Sequence, residues 1–104
     1  MERRGRTTAS VFHFAVDGTA LLLGGGTGAG TWEELGPGRF AFRVVEPMFG
    51  DDGRCTGWVV IEQTAVLAGP RFTSSGVSTV HDAQERVVRR LPVRITAARE
   101  AGTV

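Results

Sequence analysis

Few side chains in this chain of 104 residues have the chemistry and setting for catalysis. The carboxylate that stands out is Glu46. In Arg39 to Phe49 the even positions Phe40, Phe42, Val44, Glu46 and Met48 share one face of an extended segment. Burial among such neighbours raises a carboxyl group toward the range useful for acid or base work. Pro47 follows directly and gives the competing reading, in which the strand ends there and Glu46 is a solvated rim residue. His13, between Phe12 and Phe14, is the best proton shuttle available, because imidazole titrates near ~6.5. No Cys or Ser/Asp pattern accompanies it, which leaves a structural or surface histidine as the alternative. His81 ends a strand beside Asp82 and is expected in solvent. A metal held by His13 and His81 lacks a nominated third ligand, so no metal or other cofactor is expected.

The remaining candidates read as scaffold. Ser74, Ser75 and Ser78 carry no GxSxG elbow. Cys55 has no partner for a disulfide or at metal-ligand spacing, and is expected to be a small packing residue. Gly24 to Gly30 (GGGTGAG) lacks the Lys-Ser/Thr of a phosphate loop and reads as a flexible joint. Glu62 is placed to pair across a sheet with Arg43, Arg90 or Arg94. Trp32 and Trp58 suit core packing, or closure of one end of a fold against a ligand.

The elements that must position these residues are strands. Apolar residues at helical spacing are nearly absent, and Gly, Pro and Asp clusters punctuate β-branched and aromatic runs every 8 to 15 residues. The expected strands are Ala9 to Val16, Thr19 to Leu23, Thr31 to Leu35, Arg39 to Phe49, Arg54 to Leu67, Arg71 to His81 and Arg86 to Ala98. Asp17-Gly18, Gly36-Pro37-Gly38, Gly50 to Gly53 and Gly69-Pro70 supply the turns. The strand Arg54 to Leu67 is substantially apolar on both faces, which fits a sandwich, a barrel with a dimer contact or a closed corner; the surplus apolar surface of Gly57 to Leu67 predicts a homodimer. The face Phe72, Ser74, Gly76, Ser78, Val80 is mostly small and leaves room. Pro92 marks a bulge or an edge. About seven antiparallel strands joined by short hairpins predict an all-β domain, a small up-and-down barrel of about 7–8 strands or a half-open meander, with closure favoured.

Composition bounds the partners. All 12 basic residues are Arg, against 11 acidic residues, for a formal charge of +1, so no strong field attracts nucleic acid or an anionic membrane. Lys, Asn and Tyr are absent, as expected of a GC-rich bacterial genome. No run approaches the ~18 apolar residues of a membrane span, and no secretory pattern opens the chain, so a cytoplasmic single domain over 1–104 is expected, with 1–7 and 100–104 flexible.

The FxxDGT turn (Phe14 to Thr19), GxGTW (Gly28 to Trp32), GPGRFAFRVVEPMF (Gly36 to Phe49) and GWVVIEQTAVL (Gly57 to Leu67) together resemble small calycin-like barrels. More narrowly, residues 9 to 99 resemble small bacterial barrels related in architecture to allene oxide cyclase and lipocalins. Some of those are cyclases of polyketide pathways, including ones that close spirotetronate rings by [4+2] cycloaddition. The resemblance implies a hydrophobic small molecule inside a barrel, with catalysis optional. Its lumen is expected to use Phe40, Phe42, Val44, Ile61 and Phe72, with Trp32 near the mouth, His13 as a further ligand contact and Glu46 as the catalytic carboxylate. A non-enzymatic carrier or sensor and a dimeric interaction module are the alternatives.

Overall fold

The structure, a computed structural model, describes residues 11–23 and 27–98. It is all-β, with seven strands: β1 (Val11–Phe14), β2 (Thr19–Leu23), β3 (Gly28–Gly36), β4 (Arg39–Phe49), β5 (Cys55–Ala68), β6 (Arg71–Asp82) and β7 (Val87–Ala98). Each strand pairs antiparallel with its neighbour in sequence, so the sheet order is the chain order. The sheet curls into a half-barrel. No helix among the described residues is long and apolar enough to cross a membrane.

The first strand is shorter than the expected Ala9 to Val16, of which Ala9 and Ser10 lie outside the described residues. At its other end Ala15 and Val16 belong to the turn: Ala15 N–H donates to Thr19 O at 2.8 Å, and Gly18 N–H to Ala15 O at 3.0 Å. Gly18 takes a left-handed φ of 94°. The Thr19 side chain and then its N–H, at 2.9 Å, bond Asp17 and hold its carboxyl below the usual range.

The glycine-rich joint is partly strand. Gly28 and Gly30 lie in β3, where Gly30 pairs with Ala20 on one side and Val44 on the other. A Cβ on Gly30 would fall onto the Arg43 carbonyl, so the reason for glycine there is close approach of two backbones. Gly76 stands in the same relation to the Glu62 carbonyl. These positions let the sheet bend tightly around its inner face.

The bend brings β1 across the inner face onto β4, which is not its neighbour in the sheet. Phe12 and Phe14 form one row with ring centroids 6.1 Å apart, and Phe40 and Phe42 form another at 6.1 Å. The rows cross at tilted angles: Phe12 to Phe42 is 5.2 Å at 57°, and Phe14 to Phe40 is 5.2 Å at 71°. Phe42 of the second row joins Ala20, Leu22, Val44 and Ala65 in the core, each no more than 6% exposed.

The small face of β6 does not leave room as expected. Gln63 on β5, 3% exposed, lies opposite Gly76, and its Nε2 donates to the Val93 carbonyl on β7 at 3.2 Å. Buried Ser74 donates its hydroxyl to Gln63 Oε1 at 2.6 Å. The small residues accommodate a polar tether that satisfies its own hydrogen bonds.

Among the described residues the curl stops short of closure, because β1 and β7 are the two ends of the sheet and do not pair. Pro92 therefore sits on an edge strand; the shift in register between β6 and β7 falls at Val80/His81, away from it. Asp82 ties the β6–β7 turn together. The Arg86 N–H at 3.0 Å is the main cause that holds its carboxyl below the usual range, with the Gln84 N–H at 2.9 Å and the Arg86 guanidinium adding to it. A depressed folded-state pKa contributes stability above the unfolded value near ~4, lost as pH falls through the folded value. The protection factors of the Gln84 and Arg86 amides, corrected for the intrinsic pH dependence of exchange, are therefore expected to fall below about pH 4, and Asp82→Asn to remove that pH dependence.

Candidate functional site

The open seam between the two edge strands holds a cavity of about 500 Å³. Its walls come from five parts of the chain. β1 supplies Phe12 and Phe14, β3 Trp32, β4 Phe40, and the end of β5 and β6 supplies Leu67, Pro70 and Phe72, with Ala97 and Ala98 of β7 opposite. A volume of this size suits a small organic ligand.

Strand alternation explains why so many rings converge. Register places Trp32 opposite Phe42, Phe40 opposite Ala65, and Phe72 opposite both Leu67 and Ala97, all on the inner face. Phe72 closes the group, 5.5 Å from Phe40 at 77° and 6.3 Å from Phe14 at 69°. Edge-to-face packing of this kind contributes beyond area burial. The rings hold one another in place, so the wall is built before any ligand arrives.

Trp32 has a second task. Its indole Nε1–H donates to the Ala15 carbonyl at 2.7 Å, pinning the β1–β2 turn against β3. Trp32→Phe keeps a ring in the wall and removes that bond. It is expected to cost about 1 kcal/mol, with faster amide exchange in β1 as the specific readout.

The expected ligand contacts divide into two groups. Trp32, Phe40, Phe72 and His13 line the cleft, His13 as an exposed residue on the lip. Phe42 and Val44, 3% and 0% exposed, are floor beneath it, and Ile61 packs against the core outside the lining. Glu46 is half-buried on the inner face opposite Val59. It lies six residues along β4 from Phe40, roughly 20 Å at strand rise, and is absent from the cleft wall. Burial patterning on one strand placed Glu46 on the correct face, but distance along the strand separates it from the rings.

The wall also includes Phe12, Phe14, Leu67, Pro70, Ala97 and Ala98, which the alternation of single strands did not nominate. They meet only because β1 folds across the curl, a contact invisible to neighbour-strand reasoning. Elsewhere, Arg43 pairs with Glu62 at 3.6 Å on the exposed outer face, one of the pairings expected for Glu62. His81 is not simply in solvent: it stacks on Trp58 with centroids 5.6 Å apart. Cys55 is exposed rather than packed, its thiol donating to the Gly57 carbonyl at 3.2 Å. Among the described residues no cluster of His, Cys, Asp or Glu has a metal-binding arrangement.

Comparison with family models, curated proteins and solved structures finds no match to this chain.

Proposed function

We propose that the half-barrel binds a small hydrophobic molecule in the seam cleft. The observation that carries this reading is the convergence of five aromatic side chains, Phe12, Phe14, Trp32, Phe40 and Phe72, on one cavity of about 500 Å³. Apolar walls with few polar groups are the usual character of small-molecule sites. The likeness of its motifs to bacterial calycin-like barrels supports the same reading, including a role in natural-product biosynthesis.

A cyclase or isomerase activity is compatible with this site on one condition: the rate gain comes from holding the substrate in a reactive shape. Effective molarities of ~10⁵ M or more are reached by orientation alone. The histidine on the lip is the titratable side chain in the wall among the described residues, and Glu46 takes no part at this cleft. A carrier or sensor uses the same cavity without turnover.

Titration with Nile red, an uncharged apolar dye, tests the reading. Binding is expected with a blue-shifted emission, weakened about tenfold or more by Phe72→Ala, the loss of one aromatic anchor, and unchanged by Glu46→Gln. Absence of dye binding by the folded chain, or equal binding by Phe72→Ala, would refute it. A homodimer across the outer face of β5 is the second reading, favoured by Val66 and Val77, 50% and 39% exposed on that face. Val60 offers it little, being 6% exposed within its own sheet. Light scattering that gives a monodisperse monomer at high micromolar concentration would exclude the dimer.

A further inference from the structure

We infer that the cleft selects an uncharged, flat, ring-bearing ligand over both flexible chains and anions; this rests on the proposed binding of an apolar molecule in the seam.

Around the cavity, Phe14 meets Trp32 at 70°, Phe40 at 71° and Phe72 at 69°, while Trp32 and Phe40 cross at 85°. Rings set nearly perpendicular offer both electron-rich faces and electron-poor edges to whatever lies against them. A further aromatic ring is the guest that uses both, stacking on one wall while meeting another edge-on. An alkyl chain gains contact area only, and in adopting one shape it loses rotamer freedom that a rigid ring system does not have.

The chain has 12 Arg, yet none of the described residues lining the cleft is an arginine. The one indole N–H in the wall is already spent on the Ala15 carbonyl at 2.7 Å. An anion entering the cleft would lose its water and face the negative faces of aromatic rings, with no cationic side chain of arginine among the described lining residues to replace the solvent. His13 stands on the lip, exposed, and does not reach inside as a buried partner.

The wall rings contact one another, with centroids between 5.2 and 6.3 Å apart, and Trp32 is anchored at both its ring and its nitrogen. A preformed slot favours a guest that is itself preformed.

Three probes separate the possibilities: 1-pyrenemethanol, uncharged and flat; 1-pyrenecarboxylate, the same ring system with an anion; and 1-hexadecanol, uncharged and flexible. Pyrene emission reads the first two directly, and displacement of 1-pyrenemethanol reads the third. At pH 8, 1-pyrenemethanol is expected to bind at least tenfold more tightly than either of the others. Phe40→Leu, which keeps an apolar side chain of similar reach, is expected to reduce that preference for the ring as well as the affinity; circular dichroism checks that the variant is folded. Equal or tighter binding of 1-pyrenecarboxylate or 1-hexadecanol, lost in Phe72→Ala, would overturn this inference and leave the apolar-cleft reading standing. Failure of all three probes to bind would overturn both.

Discussion

Phe42→Ala is expected to lower the free energy of unfolding by about 3–5 kcal/mol, the range for removing a fully packed phenylalanine. Phe42 is 3% exposed and touches Phe12 and Phe14 on β1 as well as Phe40, two residues away on its own strand. Its loss leaves a void under both aromatic rows, and the crossing strand has no second way to fill it. For a domain of this size the effect corresponds to a fall in Tm on the order of 15 to 30 °C. Phe49→Ala provides the contrast. Phe49 ends the same strand but is 62% exposed, and its replacement is expected to change stability by less than about 0.5 kcal/mol. Denaturant unfolding of the two variants measures both values. A small loss for Phe42→Ala would mean that the rows do not form the core of the folded domain.

Gly30→Ala carries the second large effect, and here adding one carbon is the damage. The new Cβ would meet the Arg43 carbonyl and carbon and the Val44 Cα, all backbone, so no side-chain rotation can relieve the overlap. Strands β3 and β4 must separate or slip, at a cost of about 3 kcal/mol. Gly36→Ala, later in the same strand, meets nothing within 4 Å and is expected to be nearly neutral. Amide exchange should locate the difference, with protection lost across the β3–β4 ladder in Gly30→Ala alone. A neutral Gly30→Ala would show that the sheet bends elsewhere.

The two variants also mark where sequence reading succeeds and where it stops. Alternation is a local property, so it identified the inner face of β4, from Phe40 through Val44, and the strands Thr19–Leu23 and Arg39–Phe49 with both ends correct. Turn residues located the hairpins for the same reason, since Asp17 bonds the amide of Thr19, two residues away. Gly28 and Gly30 were legible as glycine but not as strand, because the requirement they meet comes from Val44, Val45 and Arg43, more than ten residues further on. Gln63 carried no signal at all. Its burial depends on a glycine opposite it on β6 and a carbonyl on β7, and neither relation is written in the alternation of β5. The cleft has the same character, since its rings converge only after the sheet has curled.

The strict agreement between sheet order and chain order also sets how the domain can assemble. Every backbone ladder closes between consecutive strands, so the sheet can grow one hairpin at a time from the N-terminal end as the polypeptide is synthesised, with low contact order favouring speed. The aromatic rows impose a delay on this order. Phe12 and Phe14 are made first; Phe14 meets Trp32 once β3 is made, but the crossing row of Phe40 and Phe42, and finally Phe72, comes only later. Nascent chains that end before β4 thus carry Phe12 without the ring it crosses, and Phe14 with Trp32 alone, on a four-residue edge strand, and these truncated intermediates expose the apolar surface that the finished domain buries.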